Sequence, residues 1–327
     1  MKYRTLGKTG YKISEISLGT WQVGGKWGSA FDEEVAETII HKAVDLGINF
    51  IDTADVYSAG KSERTVSRIV KSRMERVIVA TKIGRRLNPH VADAYNKENL
   101  RRFVDETLGN MNRETIDLVR LHCPPSAVYD NEEVFDILDG LKQDGKIRHY
   151  GVSVETVEEA MKAISYPGVS TVQIIFNLMR MKPLEEFFPA AKAANVGIIV
   201  RVPLASGLLT GKFDENSSFE QEDHRHFNRN GEVFDKGETF SGVPFDVGLR
   251  AVRKYKRLFG EDYLVQHALR WILMHEAVSC VIPGASRVEQ VAANVLASDL
   301  PPFPQMAMDD AATVYNELLR NHVHHLW

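Results

Sequence analysis

Between residues 16 and 282 the sequence repeats one unit eight times: a short apolar, β-branched run followed by a helical or irregular stretch. The runs fall at 16–18, 48–52, 77–82, 117–122, 148–153, 171–175, 196–200 and 278–282. Runs of this kind, apolar throughout, suit strands covered on both faces, as parallel strands between crossover helices are. The helical stretches supply the cover. In the first, Asp32 caps a stripe of Val35, Ala36, Ile39, Ile40, Ala43 and Val44, and Gly47 ends it in the left-handed conformation. Residues 62–73, 97–111 and 131–144 read as further helices, the second with Leu100, Phe103, Val104, Leu108 and Met111 on one face. Eight such units in 327 residues predict a closed (β/α)8 barrel over one domain, 1–327, rather than an open sheet.

Two segments fall outside the rhythm. Residues 3–6 and 11–14 flank Gly7-Lys8-Thr9-Gly10 and read as a β-hairpin, a plug over one barrel end. Residues 212–247, after the seventh strand, carry His224, Arg225, His226, Arg229 and several aromatics without a helical stripe. An irregular insertion of that length is functional or mobile, and its four basic residues could clamp a pyrophosphate.

Composition narrows the function class. Forty basic residues against forty-four acidic ones, a net charge of −4, exclude a broadly basic nucleic-acid binder. No apolar run reaches the roughly 18 residues that cross a membrane, and the first residues lack a signal-peptide apolar region. The two cysteines, Cys123 and Cys280, exclude a disulfide scaffold and a four-cysteine zinc site. The expectation is a cytoplasmic protein without nucleic-acid, membrane or metal partners. Gly24-Gly25-Lys26-Trp27-Gly28 is not a dinucleotide fingerprint, and the stretch ending in Gly60-Lys61-Ser62 has Asp55 where a phosphate loop needs glycine. No Gly-x-Ser-x-Gly elbow occurs.

In a (β/α)8 barrel the chemistry sits at the C-terminal ends of the strands. Four consecutive strands end in Asp52, Lys82, His122 and Ser153, and Tyr57 follows Asp52 in its loop. A tyrosine hydroxyl is a weak acid, but a nearby ammonium stabilises the phenolate. Asp52 could hold Lys82 charged, and His122 could donate a hydrogen bond to a carbonyl oxygen. This set suits proton delivery to an oxygen as negative charge builds there, as in carbonyl reduction. One histidine at the strand ends serves metal hydrolysis poorly.

The order of motifs resembles the aldo-keto reductases along nearly the whole chain. The resembling pieces begin with Leu18-Gly19-Thr20-Trp21 and Phe50-Ile51-Asp52-Thr53-Ala54, with Tyr57 and Ser62-Glu63. Thr81-Lys82, Asp117-Leu118 to His122, Gly151-Val152-Ser153 and Gln173 follow. The last are the run from Pro203 to Lys212, and Val281 to Ser286 with Gln290 and Asn294. The resemblance implies a barrel that binds NADP(H), with NAD(H) as the alternative, and reduces an aldehyde, ketone or sugar-like carbonyl or oxidises the alcohol. It implies Tyr57 as general acid, Lys82 as the group that eases its proton loss, Asp52 ordering Lys82, and His122 orienting the carbonyl. Ser153 and Gln173 would meet the nicotinamide carboxamide. Pro203, Leu204, Ser206, Gly207 and Lys212 would lie along the pyrophosphate. Gly284, Ser286, Arg287, Gln290 and Asn294 would hold the adenosine end, with Arg287 on the 2′-phosphate. Gly19, Thr20, Trp21 and Asp52 would border the cofactor, and Trp21, Trp27, Tyr57 and His122 would line the substrate pocket.

The sequence departs from the family's usual residues at Val154, Arg201 and Arg120. Arg201, where an aromatic commonly stacks on the nicotinamide, could reach the cofactor phosphates or an anionic substrate. Arg120 lies on the same strand face as His122, and a charge aimed into a barrel needs a partner. Cys123 alternates away from His122 and reads as a structural thiol. His322-Val323-His324-His325 reads as a docked or solvated chain end. Two other functions fit parts of the pattern. A cofactor-sensing regulatory subunit would keep the cofactor site with little turnover, and a glycosidase would use Asp52 and Asp55 as its carboxylate pair.

Overall fold

A computed structural model describes residues 1–24 and 30–327; Trp27 lies outside the described residues. The chain opens with an antiparallel hairpin of β1 (Tyr3–Thr5) and β2 (Lys12–Ser14). The barrel begins at β3 (Leu18–Gly19), α1 (Glu33–Asp45), β4 (Phe50–Asp52) and α2 (Lys61–Ser72). It continues through β5 (Ile78–Ile83), α3 (Lys97–Met111), β6 (Ile116–His122), α4 (Glu132–Gln143) and β7 (Ile147–Ser153). Then come α5 (Val157–Ile164), β8 (Val169–Ile175), α6 (Phe187–Ala193) and β9 (Gly197–Arg201). The chain ends with α7 (His224–Phe227), α8 (Phe245–Phe259), α9 (Leu264–Leu273), β10 (Val278–Val281), α10 (Val288–Val295), α11 (Gln305–Leu318) and α12 (Arg320–Val323).

Strands β3 to β10 pair in sequence order and parallel throughout. The sheet closes on itself. Ile16 bridges Val281 and Gly19 bridges Gly284, both parallel, and the Ser17 amide donates to the Val281 carbonyl at 2.9 Å. Gly19 is required there: a Cβ would stand 2.7 Å from the Ile282 carbonyl oxygen. The (β/α)8 expectation holds, with the first strand at Leu18–Gly19, starting two residues and ending one residue later than 16–18.

The helices form as their caps dictate. The Asp32 side chain accepts from the Val35 amide at 3.0 Å, and α1 buries Ala36, Ile39, Ile40, Ala43 and Val44 against the sheet. The barrel interior is filled from below. Leu6 and Ile13 of the hairpin pack with Phe50, Ile78, Ala80, Leu118, Ile199 and Cys280, all buried. The hairpin is therefore the plug its sequence predicts, and it leaves only the opposite end open.

Residues 212–247 are less irregular than their sequence suggests. They contain α7 and two single 3-10 turns, at Lys236–Glu238 and Phe240–Gly242, and α8 starts within the range at Phe245. The C-terminal residue locks this segment down. Trp327 donates from Nε1 to Asp235 at 2.9 Å, and its ring lies under Arg180 at 4.4 Å. His324 contacts Tyr315 and Glu185, so the histidine-rich chain end is docked.

Candidate active site

Strand register assembles the open end. β4 stops at Asp52, and Lys82, His122 and Ser153 end the next three strands or lie one residue from the end. Lys82 pairs with Arg120, His122 with Ser153, and Ser153 with Gln173, so these side chains stand side by side across adjacent strands. The loop carrying Tyr57 is pinned beneath. The Asp55 amide donates to the Lys82 carbonyl at 3.1 Å, and buried Glu63 accepts from Thr81, Thr107 and Asn110.

Lys82 is the hub. Its Nζ donates to Asp52 Oδ2 at 2.6 Å, to the Thr53 carbonyl at 2.9 Å and to the Tyr57 hydroxyl at 3.2 Å. Burial pushes the Lys82 ammonium below its ordinary range, and the contact with Tyr57 works against that. Tyr57 itself is half-buried. Trp21 stacks beside it with ring centroids 6.3 Å apart, and the His122 ring stands edge-on at 6.1 Å.

Arg120 finds its partner here. Its side chain is fully buried inside the barrel, and its Nη2 pairs with Asp52 Oδ1. One carboxylate thus holds two cations, one on each oxygen. His122 is neutral: burial, then the charges of Arg85, Lys82, Arg201 and Arg120, hold it well below its usual range.

Around these four residues lies a second group that sequence reasoning missed, apart from Arg201. Arg85 Nη1 lies 2.9 Å from Glu238 Oε1 and 3.5 Å from His122 Nε2. Arg201 Nη2 donates to Glu155 Oε2 at 2.6 Å and to the Val154 carbonyl at 3.0 Å, and its Nη1 stands 3.7 Å from Glu238. Arg201 is therefore held by Glu155 and Glu238. Burial alone would raise Glu238, but Arg85 and Arg201 outweigh it and bring its carboxyl down to about 2. The only sequence signal for Arg85 was Gly84, whose φ of 102° turns the chain just after β5. Cys123, Glu155 and Glu238 converge within 4.8 Å, but arginines hold the two carboxylates and burial pushes the thiol up, away from thiolate.

The insertion brings Glu238 and His224 to the site and places the Arg225 guanidinium beside the turn at Gly207. Arg225 is tied to Asp223, with Nε 2.9 Å from Oδ1, and Arg229 lies over the Phe245 ring at 5.1 Å. His226 is exposed, while His224 is buried with its ring 5.4 Å from Trp21.

The residues expected at a cofactor lie on, or just after, β3, β4 and β7 to β10. Ser153 Oγ donates to Gln173 Oε1 at 3.2 Å, and the buried Gln173 Nε2 has no partner among the described residues. Val202, Ala205, Ser206 and Gly207 all take positive φ, which wraps Pro203 and Leu204 into a tight loop. Ser206 is bonded to the insertion through the Glu238 carbonyl and the Phe240 amide, and Lys212 is exposed. Gln290 Oε1 accepts from the Ser286 amide at 2.7 Å, and Asn294 Nδ2 donates to the carbonyl of exposed Gly284. Arg287 is exposed at the start of α10 and forms no ion pair among the described residues. Gly19 and Thr20 are buried in the barrel wall, where Thr20 Oγ1 donates to the Asp52 carbonyl at 3.0 Å.

Both members of the alternative carboxylate pair are occupied. Asp52 is held by Lys82 and Arg120, and Asp55 by Arg86 at 2.9 Å. No helix among the described residues is long and apolar enough to cross a membrane.

The chain matches the aldo/keto reductase family over residues 15–316. It is 31% identical over 301 residues to the aldo-keto reductase YhdN of Bacillus subtilis, covering 90% of this chain and 87% of that protein. Among solved structures it is similar to the glycerol dehydrogenase AKR11B4 of Gluconobacter oxydans, with a TM-score of 0.78, 27% identity and coverage of 98% and 96%. The holo form of aldo-keto reductase AKR11C1 from Bacillus halodurans gives a TM-score of 0.76 at 26% identity, covering 96% of each chain.

Proposed function

The chain belongs to the aldo/keto reductase family, and on that premise we propose that it is an NADP(H)-dependent oxidoreductase interconverting a small carbonyl compound and its alcohol. The observation that carries this reading is the position of Lys82, bonded at once to Asp52 at 2.6 Å and to Tyr57 at 3.2 Å. A buried ammonium serves little purpose unless negative charge forms beside it, and the Tyr57 hydroxyl is where that charge would form.

The residues fit a nicotinamide cofactor. The unpartnered, buried Gln173 amide beside Ser153 offers a donor that a carboxamide oxygen would satisfy, and Arg287 is a guanidinium free to meet a phosphate. When bound, the cofactor supplies or accepts the hydride. The chain does the rest. Neutral His122 donates a hydrogen bond to the carbonyl oxygen and orients it. Tyr57 delivers its proton to that oxygen, and Lys82 stabilises the phenolate left behind. Asp52 keeps Lys82 charged against its burial. Trp21 walls the pocket and limits water. Alcohol oxidation runs the same contacts in reverse.

Preference for NADP(H) over NAD(H) rests on Arg287. A fluorescence titration of the protein with NADPH and then NADH tests the reading, followed by NADPH-absorbance assays on small aldehydes and ketones. The expected result is tight NADPH binding, weaker NADH binding and turnover of at least one carbonyl. Absence of binding to either nucleotide would overturn it.

A further inference from the structure

We propose that Arg85 makes this site selective for small carbonyl compounds carrying an anionic group, a carboxylate or a phosphate ester, a few bonds from the carbonyl. The inference rests on the carbonyl-reductase reading and adds its substrate class. Arg85 sits on the substrate side of the mouth. Its Nη1 is 3.5 Å from His122 Nε2, the imidazole that would orient the carbonyl, and its guanidinium lies 5.6 Å over the Phe234 ring. Phe234 in turn packs 6.1 Å from Trp21. An apolar wall, a carbonyl-orienting imidazole and a cation are thus gathered within the span of a three- or four-carbon oxo-acid. The side chain of Arg85 keeps 23% of its exposure, against 2% for Lys82, so a ligand can reach it.

The structure already contains an anion in that place. Glu238 Oε1 stands 2.9 Å from Arg85 and 3.7 Å from Arg201, so two guanidiniums converge on one carboxylate. That carboxylate comes from a 3-10 turn of the insertion after β9, not from a barrel strand, and Ser206 holds the turn through the Glu238 carbonyl. Glu238 stands in for a substrate anion. A substrate carboxylate or phosphate takes over Arg85, whose planar fork suits either group, while Glu238 falls back on Arg201.

The test compares two matched pairs with NADPH: succinic semialdehyde against butanal, and glyceraldehyde 3-phosphate against glyceraldehyde. The wild type should favour at least one anionic member at least tenfold in kcat/KM, chiefly through KM, and the pair showing it separates carboxylate from phosphate. Arg85→Met should bring that ratio near one, Arg85→Lys should keep part of it, and Glu238→Gln should increase it. Equal use of charged and neutral members by the wild type, or a ratio unmoved by Arg85→Met, would overturn the proposal. If no aldehyde is reduced, the reductase reading fails and binding judges the anion site alone. A rise in melting temperature with succinate or inorganic phosphate in the wild type, lost in Arg85→Met, supports it; no rise overturns it.

Discussion

Arg120 and Asp52 form an ion pair inside the barrel, on the carboxylate oxygen that Lys82 leaves free. The Asp52 carboxylate therefore sets a single negative charge between two buried cations. Removing the carboxylate strands both, and leaving buried charge unpaired costs about 3–5 kcal/mol. Removing Arg120 leaves a balanced Asp52–Lys82 pair. Asp52→Asn should lower the unfolding free energy by about that amount, and Arg120→Met by clearly less. The double variant should lose less than the sum of the two. Guanidinium denaturation measures all three. An Arg120→Met loss equal to that of Asp52→Asn would mean that Arg120 has stabilising contacts beyond this carboxylate.

Tyr57 is the proton donor of the proposed reaction, and its hydroxyl accepts from Lys82 Nζ at 3.2 Å. Tyr57→Phe keeps the ring against Trp21 and removes only the acid. Turnover should fall by about 10²–10⁴, the usual weight of general acid catalysis, while NADPH affinity stays nearly constant. Stopped-flow NADPH oxidation and a fluorescence titration give the two numbers. An unchanged rate would take Tyr57 out of the chemistry.

Arg287 is exposed, unpaired among the described residues, and next to the Ser286–Gln290 contact. A charged hydrogen bond to a 2′-phosphate is worth about 1.5–3 kcal/mol. Arg287→Ala should therefore weaken NADPH binding by roughly 10- to 150-fold and leave NADH nearly untouched. Equal weakening of both by titration would show that this guanidinium reads another part of the nucleotide.

Much of this architecture is legible in the sequence because it is periodic. Strand runs end at Asp52, Lys82, His122 and Ser153, and the barrel rule then brings those ends together. The partner of Arg120 was not legible. Asp52 and Arg120 lie on strands separated by β5, and only closure with its stagger carries one to the other. Glu238 and Arg85 are 153 residues apart, and neither sits on a periodic element that would announce its direction. The insertion hid its short helices for the same reason: one turn held by Asp223 or Asp235 leaves no amphipathic stripe.

His122 gives the molecule a pH signature. Its imidazole is held well below the ordinary 6.5, first by burial and then by the cations around it. In the unfolded chain it takes up a proton near 6.5, and in the fold it does not. The unfolded state therefore binds more protons as pH drops, so stability present above 6.5 is lost below it. The limiting slope is about 1.4 kcal/mol per pH unit for one such group. Other histidines, such as the partly buried His275, pushed down to about 4 by burial, add to the total but remain in a His122→Gln variant and cancel in the comparison. The difference in unfolding free energy between wild type and His122→Gln should be flat above about pH 7.5 and should shift against the wild type below about 6.5. Denaturation curves at several pH values check it, and parallel behaviour down to about pH 5 would mean that His122 titrates alike in both states. The same depression keeps the imidazole neutral under ordinary assay conditions. It can then donate a hydrogen bond to a carbonyl without competing with Tyr57 as the acid.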